Sequence, residues 1–129
     1  MTAPPITVRE YRARAQTTQT FGRVLAGARE HHLVVDGPVQ NGCPGEAITP
    51  AELFLAAIAS CGAELVQVIA REEGTPLDAV AVEITGGVDR GRQARTDVTT
   101  FTRVQVDLAL PTNADGARAA GLVEGFRRR

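Results

Sequence analysis

The sequence predicts an α+β protein made of short strands and two helices, one of them long. Segment 50–73 is apolar and carries helix start and stop signals, while segments 80–84 and 104–110 alternate apolar and polar residues, as half-buried strands do. The N-terminal third contains shorter alternating runs. At 129 residues and without an internal repeat, the chain is expected to form one domain over 1–129.

Three strands are predicted before the long helix. Residues 7–16 alternate small or aromatic residues with polar ones, which predicts the first strand. Two more are predicted at 21–28 and 31–35, and the last of these ends at the turn sequence Asp36-Gly37-Pro38. Segment 37–48 holds three glycines and two prolines, so we expect an irregular loop that leads into the helix.

The long helix has well-defined ends. Thr49 and Glu52 have the spacing of a capping box, and Pro50 occupies the first helical position, where its missing N–H costs nothing. Gly74, followed by a proline, provides the stop, which gives a helix of about 36 Å. No polar side chain occurs over 53–59, so this helix, including Cys61, is predicted to be surrounded by protein.

The C-terminal half is predicted to contain two strands and a closing helix. The strands at 80–84 and 104–110 are separated by segment 86–96, whose glycines and charges predict a mobile hairpin tip. Asn113 or Asp115 is a candidate cap for a helix through Phe126, although each of three glycines weakens that helix by about 1 kcal/mol.

The composition excludes several classes of function. All fourteen basic residues are arginine, so chemistry that requires a lysine nucleophile is excluded. A formal net charge of −1 without long runs of like charge argues against a dedicated nucleic-acid binder. The two cysteines lack C-x-x-C spacing and no Cys/His cluster occurs, so we expect no metal site and no cofactor.

The sequence shows no sign of export or of a membrane partner. The first residues contain no apolar core of a signal peptide. We find no run that approaches the roughly 18 apolar residues needed to cross a bilayer. A soluble, cytoplasmic protein is therefore expected.

Several motifs together resemble those of the OsmC/Ohr family of osmotically induced and organic hydroperoxide resistance proteins. They are Asp36-Gly37-Pro38, Gly42 and, above all, residues 49–61, which read T-P-A-E-L-F-L-A-A-I-A-S-C. The last segment is similar to the family signature T/N-P-x-E-L-x-x-A-A-x-A-x-C. The resemblance extends over nearly the whole chain.

The resemblance implies an OsmC-like fold, in which antiparallel sheets wrap around long central helices in an intertwined homodimer with active sites near the subunit interface. It also implies reduction of organic hydroperoxides by cysteine chemistry. In that chemistry the helix cysteine attacks the O–O bond as a thiolate, and an arginine and a carboxylate position it. A second cysteine then closes a disulfide, which an external thiol reduces.

By this resemblance Cys61 is the candidate catalytic thiol. Only a thiolate is nucleophilic, and burial in an apolar helix raises a thiol pKa unless a cation is close. Arg23 is the favoured cation, and Arg14 and Arg29 compete with it. For any one of these arginines, an ordinary solvated position on a strand is an equally open interpretation.

The candidate carboxylates depart from the family pattern. In the hydroperoxide-reducing members the catalytic glutamate directly follows the helix-opening proline, where this chain has Ala51. Glu52 is shifted by one residue, which rotates a helical side chain by about 100°, and its capping role is the favoured interpretation. Glu64, three residues after Cys61, is either a displaced catalytic carboxylate or evidence against a reactive thiol. Both glutamates are kept as candidate site residues.

The resolving cysteine is also missing. The family places it in a C-P-V segment after the second helix, and we expect this chain to lack that segment and the last strand. Cys43 is either a substitute resolving thiol or an incidental loop cysteine, and the second interpretation is favoured. His31 and His32 are adjacent on a predicted strand, which is typical of ordinary sheet surface.

Three functions follow from these observations. The favoured one is a thiol-dependent peroxidase, with an organic hydroperoxide as substrate, an external thiol as reductant and Cys61, Arg23, Glu52 and Glu64 as candidate site residues. The others are a non-catalytic dimer that binds a hydrophobic small molecule and a purely structural homodimer. Ala51 and the missing resolving cysteine favour these two alternatives, whereas Cys61 in its helix favours the peroxidase.

Overall fold

A computed structural model describes residues 3–5, 7–110 and 116–128, with the side chains of 117–119 left out. The chain forms two compact units, Met1–Glu52 and Leu53–Arg129, which we describe separately. The long helix begins in the first unit and continues through the second.

The first unit contains a three-stranded antiparallel sheet. Its strands are β1 (Arg14–Thr17), β2 (Arg23–Ala28) and β3 (His31–Asp36), in the order β1-β2-β3. The second and third predicted strands are confirmed. The first prediction is wrong for residues 7–13, because β2 ends one residue beyond the partner of Arg14 and offers no further edge to pair with.

The loop after β3 is irregular, as predicted. It contains a single 3₁₀ turn, Val39–Asn41, followed by Gly42 in the left-handed region at φ 77°. Two backbone hydrogen bonds fasten the loop to the sheet: Gly37 donates to the carbonyl of Gly22 at 2.8 Å, and Asp36 donates to the carbonyl of Ile48 at 3.0 Å. The end of the loop therefore lies against the end of β3.

Helix α1 spans Pro50–Glu73 and has the predicted ends. At its start, the Thr49 N–H and hydroxyl donate to Glu52 Oε1 at 3.1 and 2.7 Å, and the Glu52 N–H donates to Thr49 Oγ1 at 3.3 Å. This reciprocal arrangement is a capping box. At its end, Gly74 adopts φ 66°, a left-handed conformation that closes the helix.

The second unit adds a two-stranded antiparallel sheet and a second helix. The strands are β4 (Ala81–Gly87) and β5 (Arg103–Ala109), and the helix is α2 (Gly116–Arg128). The core consists of Val66, Ile69, Ala70 and Leu122, so it joins α1 to α2. Both predicted strands and the closing helix are confirmed, whereas the predicted caps Asn113 and Asp115 lie outside the described residues.

The segment between β4 and β5 spans 88–102 and is held by several side-chain hydrogen bonds. Gly86 and Gly87 belong to β4, so the predicted tip is wrong at these two residues. The Gln93 side-chain amide donates to the carbonyls of Asp89 and Thr100 at 2.7 and 3.1 Å and accepts the Thr100 N–H at 2.7 Å. One amide side chain thus bridges the two sides of the loop, and the predicted mobility stays a prediction.

The burial of α1 differs from the prediction. Only Gly62, Val66, Ile69 and Ala70 of this helix are buried, while Phe54 and Ile58 are 55% and 36% exposed. The helix also meets the length and composition test for a membrane span, so the prediction that no segment approaches this requirement is wrong. The core helix of a soluble protein passes the same test. Within one chain, full burial is therefore confined to the second half of the helix.

Gly62 allows α1 and α2 to approach each other. The ring of Phe126 lies so close to Gly62 that a β-carbon there would overlap it. We expect Gly62→Ala to destabilise the protein by about 1–3 kcal/mol, because the ring must move out of a packed position. Urea denaturation gives this free energy directly.

Gly121→Ala is the matched control, since Gly121 lies within α2 and, among the described residues, no atom beyond its own helix backbone and chain neighbours lies within 4 Å of the position of its β-carbon. It should stabilise the helix by about 0.5–1 kcal/mol. Equal effects of the two alanines would contradict the packing described for Gly62.

Candidate functional site

Cys61 lies near the middle of α1 and is exposed in the single chain. The sequence analysis predicted that Cys61 is buried. Within its own chain this prediction is wrong. The reason is that α1 packs through other positions, namely Gly62, Val66, Ile69 and Ala70, and Gly62 lies against the ring of Phe126. An exposed thiol on the apolar part of a helix is accessible to a small substrate.

Arg23 and Asp36 form the most completely hydrogen-bonded ion pair in the described part of the chain. They face each other in the register of β2 and β3. Arg23 Nε donates to Asp36 Oδ1 at 2.8 Å, and Arg23 Nη2 donates to Asp36 Oδ2 at 2.9 Å. The Asp36 side chain is fully buried, whereas that of Arg23 is 31% exposed. Asp36 thus holds the guanidinium along its Nε–Nη2 side, while part of the Arg23 side chain remains open to solvent.

Backbone groups complete the environment of Asp36. The N–H groups of Glu46 and Ala47 both donate to Asp36 Oδ2 at 3.0 Å. Hydrogen bonding from Arg23 holds the pKa of Asp36 well below its usual range, against the opposing effect of burial, and the backbone N–H groups add to the decrease. The same hydrogen bond raises the pKa of Arg23, so both groups stay charged at neutral pH.

We expect this ion pair to make the protein sensitive to acid. Folding lowers the pKa of Asp36. The ionised carboxylate therefore stabilises the fold fully above the ordinary aspartate pKa of about 4, and this stabilisation decreases as the pH falls below that value. Urea midpoints measured from about pH 5 to about pH 3 should therefore fall more steeply for the wild type than for Asp36→Asn.

The pKa of Glu52 is also lowered, by its hydrogen bonds with Thr49, so acid weakens both proteins through this second group and only the difference between them reports on Asp36. Parallel pH profiles would contradict the prediction.

Glu52 lies at the start of α1, where its carboxylate belongs to the capping box. Its Oε1 accepts both hydrogen bonds from Thr49, and the hydrogen bond from the Thr49 side chain is the main cause of its lowered pKa. The favoured interpretation of Glu52 as a cap is therefore confirmed. A catalytic role for the same carboxylate stays a prediction.

Glu64 is exposed on α1, one helical turn after Cys61. With Gln67, Val68 and Arg71 it lines a shallow depression of about 260 Å³ on the helix surface. Among the residues that the structure describes, no ion pair with Glu64 is present. Its carboxylate is free to interact with solvent or with a second molecule.

Arg14 and Arg29, the two other candidate cations for Cys61, have different surroundings from Arg23. Arg14 Nη2 donates to the carbonyl of Arg29 at 2.7 Å and lies 3.4 Å from His32 Nε2, so Arg14 is fastened to the β2–β3 hairpin. Arg29 occupies the turn of that hairpin at φ 53°. His31 and His32 are both exposed, which agrees with their interpretation as sheet surface.

Cys43 has a packing role that the sequence did not reveal. Its side chain is partly buried and lies against Gly22 and Gly37, so closely that a β-carbon at either glycine would overlap it. The interpretation of Cys43 as an incidental loop residue is therefore incomplete. Only the folded loop brings these three positions together, so no local sequence signal predicts the contact.

No group of three or more possible metal ligands occurs among the described residues. The described side chains provide an accessible thiol at Cys61, a guanidinium at Arg23 that Asp36 holds in place, and exposed carboxylates.

Sequence reasoning missed Asp36 as the partner of Arg23. The signal was present, because a two-residue turn at 29–30 places positions 23 and 36 opposite each other.

Comparison with known proteins identifies the family. The sequence model for OsmC-like proteins matches residues 43–129, which is more than half of the chain. The chain belongs to the OsmC-like protein family. A search among curated proteins found no match.

Solved structures confirm the OsmC-like fold. An OsmC-like protein from Mycoplasma pneumoniae is 11% identical, with a TM-score of 0.79 over 94% of this chain and 82% of that chain. An organic hydroperoxide resistance protein from Elizabethkingia anophelis is 14% identical, with a TM-score of 0.73 over 95% and 84%. The organic hydroperoxide resistance protein OsmC from Legionella pneumophila is 18% identical, with a TM-score of 0.71 over 95% and 85%.

These similarities confirm the predicted fold class, an α+β arrangement of two antiparallel sheets and a long helix. Identities this low show the fold and not the activity. The fold resembles that of OsmC/Ohr proteins.

Proposed function

We propose that this OsmC-like protein is a thiol-dependent peroxidase that reduces organic hydroperoxides. The observation that carries the proposal is Cys61, which stands at the cysteine of the family signature and is exposed on α1. The structural similarity to organic hydroperoxide resistance proteins supports it. An accessible thiol on a rigid helix is the group that such a reaction requires.

The proposed reaction begins at the Cys61 sulfur. The thiolate attacks the outer oxygen of the hydroperoxide, an S–O bond forms, the O–O bond breaks, and the leaving alkoxide takes up a proton to become an alcohol. Sulfur is oxidised to a sulfenic acid. One external thiol then displaces water to form a mixed disulfide, and a second external thiol releases Cys61 and leaves as the oxidised disulfide.

Arg23 is the proposed cation that favours the thiolate form of Cys61. Its charge is fixed by a buried carboxylate, and about a third of its side chain remains exposed. A guanidinium favours a nearby anion and lowers a thiol pKa. Glu52 and Glu64 are the proposed carboxylates of the site, and Glu64 is the better candidate because the carboxylate of Glu52 is engaged in the helix cap.

We also propose that the protein acts as a homodimer in the cytoplasm. The exposed apolar side chains of α1, including Phe54 and Ile58, form a surface that a second copy would cover. Large apolar surface on a helix of this length is costly in water.

A steady-state assay tests the proposed activity. Purified protein, tert-butyl hydroperoxide and dithiothreitol should give turnover well above the uncatalysed rate, and hydrogen peroxide should be a poorer substrate. A boiled sample and a sample without dithiol are the controls. Absence of turnover at excess hydroperoxide would contradict the proposal.

A second candidate function is non-catalytic binding of a hydrophobic small molecule between the helices of a dimer. The Arg23–Asp36 pair favours it, because a carboxylate already neutralises the guanidinium, and Ala51 replaces the family's glutamate. Stoichiometric binding of an apolar fluorescent probe, without hydroperoxide turnover, would support this alternative. Absence of both would leave the structural homodimer.

A further inference from the structure

Three residues form one row across the sheet of the first unit. Arg14 on β1 lies opposite Gly27 on β2, and Gly27 lies opposite His32 on β3. Residues that lie opposite each other in neighbouring antiparallel strands share one face of the sheet. Because Gly27 has no side chain, the Arg14 guanidinium and the His32 imidazole meet above it, with Arg14 Nη2 3.4 Å from His32 Nε2.

The space between these two side chains depends on the glycine. A β-carbon at Gly27 would lie 3.3 Å from both Arg14 Nη2 and His32 Cδ2, so a larger residue would fill the gap. The row borders an open depression of about 120 Å³, whose lining also includes Gln16 and Leu25. Pockets for whole drug-sized ligands measure roughly 300–1,000 Å³. This depression therefore suits a small head group.

The Arg14 guanidinium is held in place without a carboxylate. Its Nη2 donates to the carbonyl of Arg29 at 2.7 Å, whereas Arg23 and Arg95 each donate two hydrogen bonds to an aspartate. In the described part of the chain, neither Arg14 nor His32 forms an ion pair, and Arg14 Nε and Nη1 make no hydrogen bond. A fixed guanidinium with unused donors and no acidic partner favours an anion.

An apolar row lies beside this polar row. Leu25 and Val34 face each other on the same face of the sheet as His32, and they are 37% and 45% exposed. Two residues along a strand span about 6.8 Å. The following row is the ion pair of Arg23 and Asp36. The apolar surface is therefore one row deep, which matches a tail of about four to six carbon atoms.

We propose that this face of the sheet binds a small amphiphilic carboxylate. Its head group accepts hydrogen bonds from Arg14 and His32. Its short tail covers the apolar row formed by Leu25 and Val34. The imidazole can donate because at least one ring nitrogen carries a proton, and two charge-assisted hydrogen bonds to one anion would replace the long contact between the two side chains. The site uses only residues of the first unit, so its test does not depend on hydroperoxide turnover.

Titration of the full-length protein with sodium hexanoate, followed by amide NMR, tests the site. In a buffer without phosphate or carboxylate, we expect saturable shifts of the Gly27 and His32 signals. The dissociation constant should be on the order of 10 mM, because a ligand this small has few atoms to contribute. Sodium chloride at equal ionic strength controls for screening. Signals that do not saturate by about 100 mM hexanoate, or that shift equally with chloride, would overturn the proposal.

Two further probes separate the head group from the tail. Acetate has the same carboxylate without the tail, so it should bind at least about fivefold more weakly than hexanoate. Inorganic phosphate offers the charge without apolar surface and should also bind more weakly. Acetate or phosphate that binds as tightly as hexanoate would make this a site for oxyanions in general and would overturn the proposed ligand.

Variants of the polar row test the head-group contacts. Arg14→Gln and His32→Gln should each weaken hexanoate binding at least about fivefold. His31→Gln is the matched control, because His31 is the neighbouring histidine on the opposite face of the sheet. Arg12→Gln removes a charge outside β1 and outside the depression. Both controls should change the dissociation constant less than about twofold, since distant exposed charges are screened. Equal weakening in either control would reduce the site to general attraction of anions and overturn it.

Val34→Thr tests the tail and decides the matter if Arg14→Gln does not fold. The exchange is similar in size and lies at an exposed strand position, so the fold should persist. It should weaken hexanoate binding at least about twofold and leave acetate binding unchanged, because only hexanoate reaches the apolar row. An unchanged affinity for hexanoate, or equal weakening of both ligands, would overturn the proposal.

Discussion

The Cys61→Ser variant is expected to lose hydroperoxide turnover by at least about 10³-fold. The reason is that a serine hydroxyl is hardly ionised near neutral pH and is a poor nucleophile toward the O–O bond, whereas a thiolate is a strong one. Cys61 is exposed on α1, so the conservative exchange should leave the fold intact. The measurement is the initial rate with tert-butyl hydroperoxide and dithiothreitol.

Cys43→Ser is the matched control for this experiment. Cys43 is packed against Gly22 and Gly37, and serine is small enough to occupy the same space. We expect this variant to keep most of its turnover, since the proposed reaction uses external thiol for reduction. Equal loss of turnover in both variants would make Cys43 a resolving thiol, and retained turnover in Cys61→Ser would contradict the role of Cys61.

The second large effect is expected on assembly. Helix α1 is about 36 Å long, and in one chain only four of its residues are buried. Because the exposed part includes Phe54 and Ile58, we expect no stable folded monomer and a dimer that persists at sub-micromolar concentration. Sedimentation velocity over a dilution series measures this.

Ile58→Asp places a charge on the exposed apolar surface of α1 and should abolish the dimer together with most of the folded signal. Val88→Asp is the control, because Val88 is also exposed, at 49%, but lies in the loop after β4. It should remain dimeric. A wild type that sediments as a folded monomer would contradict the prediction.

The elements that the sequence predicted correctly depend on local signals. The ends of α1 follow from the capping box at Thr49 and from Gly74, and β4 and β5 follow from strict alternation. The first strand was predicted too long because its alternation continues beyond the point where β2 can pair with it. Where a strand stops pairing depends on the length of its partner strand. Alternation within one segment does not reveal that length.

The site was predictable only in part. The signature located Cys61, but its exposure depends on which face of α1 packs against Phe126, a residue far along the chain. The partnership of Arg23 with Asp36 depends on hairpin register, and the packing of Cys43 depends on loop closure. The first could have been found from the two-residue hairpin turn at 29–30, whereas the second has no local sequence signal.

Direct trapping of the oxidised thiol tests the central claim most directly. The protein is treated with one equivalent of tert-butyl hydroperoxide in the presence of dimedone, and the Cys61 peptide is analysed by mass spectrometry. We expect a dimedone adduct at Cys61; without dimedone, one equivalent of hydroperoxide should add one oxygen at that residue and an excess should add up to two. A Cys61 that stays unmodified at excess hydroperoxide would contradict the account.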